Sequence, residues 1–337
     1  MLRSISLLMV LCLGTVALAG VNIETVTVGN PGNALDVHPA NNHPAGFGAV
    51  DYTYNIGKYE VTAGKYTAFL NAVAQTDTYG LYNPDMSSSA AYGCQIQQSG
   101  SAGSYSYSVD ANWANRPVNY VSWGDAARFA NWLHNGQPDG NQDLTTTEDG
   151  AYYLNGATTN EALQAVRRQD DWKWAIASEA EWYKAAHHRN DGNTGNYWNF
   201  ATGTDSIPSN LLVEPNDPGN NATFYYDGSF TIGLPYFFTE VGAHENSDSA
   251  YGTFDQNGNL WEWNEEVMFD FLRGARGGAA NDSYGAMDAS NHNSRSGRTP
   301  TTEEYLIGFR VVEVPEPAIL SLVGLGLAGL VLRRKGK

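Results

Sequence analysis

Apolar residues along this chain form long runs at both ends and periodic patterns between them. After Val61-Thr62, the residues Tyr66, Phe69, Leu70 and Val73 recur at i, i+3, i+4 and i+7, which predicts a helix with one buried face. Ser122-Trp123-Gly124-Asp125 has capping-box spacing, and Ala126, Phe129, Ala130 and Leu133 carry the same period onward. Ser178-Glu179-Ala180-Glu181 is an S-x-x-E box followed by Trp182, Ala185 and Ala186, a third helix start. Residues 54–60, 172–176, 236–241 and 307–313 are rich in β-formers and bounded by turn residues, so they read as strands. Residues 77–114 and 190–231 are dense in Gly, Asn, Ser and Tyr and predict long irregular segments, which in a compact domain are usually functional or disordered. No fixed-period repeat is present. Few helices, few short strands and much coil predict an α+β fold.

The two terminal runs carry addressing information. Met1-Leu2-Arg3, the apolar residues 5–18 and Ala17-Leu18-Ala19 match a positive n-region, a short h-region and a small-x-small cleavage site, so residues 1–19 read as a signal peptide. At the other end Val314-Pro315-Glu316-Pro317 precedes an apolar run over 318–332 and then Arg333-Arg334-Lys335. The prolines keep the motif extended, the apolar run suits a bilayer, and the basic cluster favours the cytoplasmic side. Residues 314–337 resemble the PEP-CTERM sorting signal of bacterial surface proteins. The resemblance implies a transient membrane anchor removed near Pro317 by a membrane transpeptidase-like sorting protease. A permanent anchor is the alternative, and either places residues 20–313 outside the cell, in the envelope or beyond.

Composition narrows the classes. A formal net charge of −17 argues against nucleic-acid binding and suits a solvated surface or cation sites. Cys12 and Cys94 are the only cysteines, and Cys12 lies in the signal, so the mature chain holds one thiol and no internal disulfide.

Five segments, in order, resemble the sulfatase-modifying-factor family, whose best-known members are formylglycine-generating enzymes with a C-type-lectin-like fold. They are Gly57-Lys58-Tyr59-Glu60-Val61-Thr62, Arg116-Pro117-Val118-Asn119-Tyr120-Val121-Ser122-Trp123, Ala177-Ser178-Glu179-Ala180-Glu181-Trp182, Gly258-Asn259-Leu260-Trp261-Glu262-Trp263, and Arg276-Gly277-Gly278 with Gly308-Phe309-Arg310. The resemblance implies a structural calcium held by Asn257, Gly258 and Leu260 through chain or amide oxygens and by Glu262 through its carboxylate, a hard-oxygen set. An ion pair between Glu262 and an arginine such as Arg310 is the alternative. A second calcium site is common in the family, but its ligands cannot be assigned within 221–233.

Formylglycine formation in that family needs two thiols that bind copper, at a fixed spacing between the Gly-Gly turn and an Arg-Ser pair. Here Gly277-Gly278 and Arg295-Ser296 align without a gap, and the two cysteine positions are Asp282 and Met287. A carboxylate and a thioether do not replace two thiolates, so neither copper nor formylglycine-generating activity is expected. The histidines His134, His187, His188, His244 and His292 lack facial-triad spacing, and His187-His188 read as the end of an exposed helix.

Two function classes follow. The first is a noncatalytic envelope or matrix binding protein of the exopolysaccharide layer. Its surface between Gly278 and Gly308 offers Asp282, Tyr284, Asp288, His292, Arg295, Arg298 and Tyr305 to a carbohydrate or protein ligand. The second is an oxidoreductase-type or other enzyme of altered chemistry, in a pocket where Asp282 meets Trp263 and Arg295. Tyr105, Tyr107 and Trp113 read as core or loop-pinning rings before they read as stacking platforms.

Overall fold

A computed structural model describes residues 20–37, 46–88, 92–291 and 295–315. The strands are β1 (Thr25–Val28), β2 (Tyr54–Gly57), β3 (Gln97–Ser99), β4 (Ser106–Ser108), β5 (Trp174–Ile176), β6 (Tyr225–Tyr226), β7 (Ser229–Phe230), β8 (Trp261–Met268), β9 (Leu272–Arg276), β10 (Arg295–Arg298), β11 (Ile307–Gly308) and β12 (Val311–Glu313). The helices are α1 (Ala63–Val73), α2 (Asp85–Ser88), α3 (Ala111–Ala114), α4 (Trp123–His134), α5 (Asn160–Ala165) and α6 (Glu179–His187). The α+β, loop-rich architecture expected from the sequence is the one observed.

The caps set the three main helices where the pattern placed them. The Thr62 side chain accepts from the Lys65 N–H at the start of α1, and full capping boxes, Ser122 with Asp125 and Ser178 with Glu181, open α4 and α6. Each satisfies backbone donors that a helix start leaves unpaired. The apolar stripes of α1 and α4 then meet: Phe69 and Phe129 lie 5.3 Å apart, Tyr66 and Phe129 6.1 Å apart, and Phe309 packs on Phe129 at 5.4 Å. Removing a ring here, as in Phe129→Ala, costs about 3–5 kcal/mol.

Two four-stranded sheets flank this core, in the orders β1-β2-β12-β5 and β10-β9-β8-β11. The first is antiparallel throughout and joins β1 and β2 to β12, so the first and last described strands share one sheet. In the second, β8 and β9 form a hairpin with an irregularity between Trp263 and Val267, and β11 runs parallel to β8.

Three expectations change. The strand expected over 307–313 divides, because Ile307 and Gly308 pair with Trp261 and Glu262 whereas Val311 to Glu313 pair with β5, so Phe309 and Arg310 hand the chain from one sheet to the other. No strand forms over 236–241, since its backbone groups go to separate partners: Thr239 N–H donates to the Asn259 side chain and Val241 N–H to the Asn115 carbonyl. His187 and His188 end a buried helix, not an exposed one, at 2% and 0% exposure. Among the described residues no helix is long and apolar enough to cross a membrane. The expected signal peptide, the apolar run 318–332 and His292 lie outside the described residues.

Candidate functional site

The motifs that carry the resemblance interlock in the interior. Glu262, fully buried on β8, accepts from Arg310 Nε at 2.5 Å and Nη2 at 2.6 Å, and from Trp182 Nε1 at 2.7 Å. Arg310 also donates to the carbonyls of Gly57 and Phe254, so one guanidinium ties β2, the turn before β8 and the β11–β12 junction. Glu60 accepts from the Asn259 side chain at 2.8 Å and the Leu260 N–H at 3.2 Å. Burial, then the nearby Asp255 and Glu262, push the Glu60 carboxyl well above the usual range. Glu179, at the start of α6, accepts from Arg276 Nε at 2.8 Å and from the Asn264 side chain at 2.5 Å. These residues build the frame, and the segment it displays begins where β9 ends.

That segment opens on Gly277 and Gly278, whose φ values of +104° and +73° lie where glycine is favoured. A Cβ on Gly278 would sit 3.1 Å from Ala286 and 3.2 Å from Met287, so the turn is also tightly packed. The turn aims the Asp282 carboxylate back at the frame: its Oδ2 accepts from Trp261 Nε1 at 2.7 Å and from the Ala279 N–H at 3.0 Å. Burial raises the Asp282 carboxyl above its ordinary value, opposed by those two donors and by Arg298. Arg298 lies 5.4 Å from the Trp261 ring centroid and is paired with Glu304. The second aligned position, Met287, is 2% exposed and packs with Phe200, Ala222 and Phe224 in a small cluster.

The expected trio of Asp282, Trp263 and Arg295 does not come together around a reacting centre. Trp263 is fully buried and donates to the Val121 carbonyl at 2.9 Å, and Arg295 is held by Glu266. Trp261 and Arg298 stand beside Asp282 instead. Strand alternation explains the exchange of tryptophans, because residues 261 and 263 lie on the face opposite to 262, while only 261 lies at the strand end nearest the Gly-Gly turn.

The expected calcium ligands do not fit that ion. Glu262 is neutralised by Arg310 and its oxygens are hydrogen-bonded, and the Asn257 side-chain oxygen accepts from the Ala201 N–H at 3.1 Å. A divalent cation bound at Glu262 would also be repelled by the buried Arg310 guanidinium. Among the described residues no group of three His, Cys, Asp or Glu is arranged to hold a metal. Cys94 is buried and its thiol is pushed up to about 11, the wrong direction for a thiolate ligand.

Beside Asp282 lies a feature that sequence reasoning missed. Rings run from Tyr225 to Phe230 at 5.0 Å, to Phe237 at 5.1 Å, to Tyr92 at 4.9 Å and to Tyr305 at 4.8 Å. Tyr92, Tyr225 and Phe230 are each 37–41% exposed, and Phe237 and Tyr305 rest on buried Phe238, Leu260 and Ala280. Tyr226 and Tyr284 form a neighbouring pair at 6.3 Å. The Tyr225 N–H donates to the Asp282 carbonyl at 2.9 Å, which ties the β6–β7 hairpin to the displayed segment. The density of aromatic residues over 224–238 was the available signal, but four of these five rings come from outside the 278–308 segment. Asp288 is used locally, accepting from the Ser290 N–H and hydroxyl. Tyr107 is buried and donates to the Ala74 carbonyl, while Trp113 and Tyr236 lie tilted at 4.9 Å with Arg116 over the Tyr236 ring.

Comparison with known proteins agrees with this geometry. The sulfatase-modifying factor enzyme 1-like domain model matches residues 22–314, and the PEP-CTERM protein-sorting motif matches residues 313–335, which marks an exported protein of the cell envelope or surface. Among solved structures, CarF is similar over 88% of this chain and 99% of its own, with 21% identity and a TM-score of 0.55. Treponema denticola variable protein 1 covers 86% of this chain and 95% of its own at 18% identity and TM-score 0.47. PvdO from Pseudomonas aeruginosa covers 86% and 91% at 19% identity and TM-score 0.45. No curated protein matches the chain. With its five motifs in order, its frame assembled from them and the family match spanning nearly the whole described region, the chain belongs to the sulfatase-modifying factor enzyme 1-like family.

Proposed function

We propose that this exported protein is a noncatalytic carbohydrate-binding domain that does not generate formylglycine. One observation carries the reading: of the two positions where the family's enzymes are expected to hold copper thiols, Asp282 is tied to Trp261 and Met287 is sealed in an apolar cluster. Soft thiolates select copper, and neither side chain supplies one.

The ring array from Tyr225 to Tyr305 is the ligand surface. Exposed rings on a packed base are suited to the apolar faces of sugar rings, and the exposed amide of Asn281, beside the Tyr305 hydroxyl, suits sugar hydroxyls. The acidic charge of the chain favours a neutral polysaccharide, and the exopolysaccharide layer is the setting in which such a ligand is met. Binding of a panel of neutral oligosaccharides by calorimetry tests this, with Tyr225→Ala and Phe230→Ala as probes. Each substitution is expected to weaken binding about tenfold, the loss of roughly one stacked ring, without lowering the melting temperature. No binding in the panel, or binding that ignores both substitutions, overturns it.

A second reading has one observation in its favour. Asp282 is held above its ordinary carboxyl range by burial, as an acid or base in altered chemistry requires. Against it, one of its oxygens takes both N–H donors, and Trp263 and Arg295 are engaged elsewhere.

A further inference from the structure

The sorting signal starts inside the folded domain. The family match ends at residue 314 and the sorting motif begins at 313, so no spacer separates them. Glu313 is the last residue of β12 and is flanked on both sides, by Asn55 of β2 and Trp174 of β5. The Val314 N–H then donates to the Lys173 carbonyl at 2.9 Å, which makes Pro315 the first residue past the sheet. Lengthening the stub by fraying β12 is costly, because Val311 and Val312 are fully buried, about 1.5–3 kcal/mol each.

Four residues lead from Val314 to Ala318, where the apolar run begins, and they span at most about 14 Å. A domain of this length has a radius of gyration of about 19 Å. While the run is in a bilayer, the sheet end bearing Val314 is therefore held against the membrane, closer than the domain is wide. Any protein that grips Pro315-Glu316-Pro317 meets this end of the sheet as well.

We propose that this sheet end, with exposed Asp171, Lys173 and Val314 and half-buried Trp172, Trp174 and Glu313, is a docking surface for the membrane enzyme that removes the tail. The proposal rests on the tail being removable. The removal breaks one peptide bond: the acyl carbon on the domain side passes to water or to another amine, and the nitrogen leaves with the tail. The surface mixes both charge signs around two indole rings, a composition suited to a protein partner, since bare anionic lipid would be repelled by Asp171 and Glu313.

The test uses the full chain in membranes of its host, following conversion of precursor to mature form by mass spectrometry. Lys173→Glu and Asp171→Lys are made with and without a flexible Gly/Ser spacer of about eight residues between Val314 and Pro315, long enough to free the motif from the sheet. Without the spacer each charge reversal is expected to slow conversion about threefold or more, the size of effect a rim charge has on encounter. With the spacer the effect vanishes, while melting temperatures stay the same. Equal rates without the spacer, or equal slowing with and without it, overturn the docking surface. Absence of any conversion of the unsubstituted chain overturns the removable tail itself.

Discussion

The guanidinium of Arg310 closes on the carboxylate of Glu262 through two hydrogen bonds at 2.5 and 2.6 Å, with both side chains fully buried. The pair joins the Gly-Phe-Arg and Trp-Glu-Trp motifs, and Trp182 adds the Ser-x-x-Glu helix to the same carboxylate. Opening it from one side strands a buried charge, so Glu262→Gln and Arg310→Met are each expected to lower stability by about 3–5 kcal/mol. Chelation of divalent cations, by contrast, leaves the melting temperature unchanged. A large drop on chelation together with a tolerated Arg310→Met would show that a cation, not the arginine, supports Glu262.

Met287 supplies a second expectation. Its thioether fills a cluster with Phe200, Ala222 and Phe224, so Met287→Cys leaves a void and costs about 1–3 kcal/mol. The double substitution Asp282→Cys with Met287→Cys is expected not to create a copper site, because residue 287 faces that cluster. Competition against a chromophoric copper(I) chelator measures this; tight copper binding by the double variant would show that the two positions converge.

Glu303 sets a pH dependence. Burial first, then the neighbouring Asp125, push its carboxyl up to about 8, with a hydrogen bond from the Asn83 amide opposing them. A carboxyl raised in the folded state binds its proton more tightly folded than unfolded, so its contribution is full below about pH 4.5 and is lost as pH rises through about 8. With allowance for partial solvent screening, about 2 kcal/mol is expected to disappear over that window. Glu303→Gln flattens this part of the profile in urea titrations at a series of pH values; an unchanged slope contradicts the assignment.

Much of the frame was legible in the sequence because its signals are local. Thr62, Ser122 and Ser178 announce α1, α4 and α6 within four residues, and the structure starts each helix there. Residues 236–241 form no strand despite their apolar content, because Asn259, Asn115 and Arg116 divide that backbone among them. The partner of Asp282 is Trp261, not Trp263, because strand alternation gives both the same face and only the position of the Gly277-Gly278 turn selects between them. The ring array left only the aromatic density over 224–238 as a sign: Tyr92, Phe230 and Tyr305 are distant in sequence and are joined through Phe237, which rests with Tyr305 on Phe238 and Leu260.

The most direct measurement is incubation of the purified domain with copper, oxygen and a cysteine-containing sulfatase peptide, read by mass spectrometry. With Asp282 and Met287 at the two thiol positions, the peptide cysteine is expected to remain intact. Copper-dependent conversion of that cysteine to the aldehyde would contradict the account.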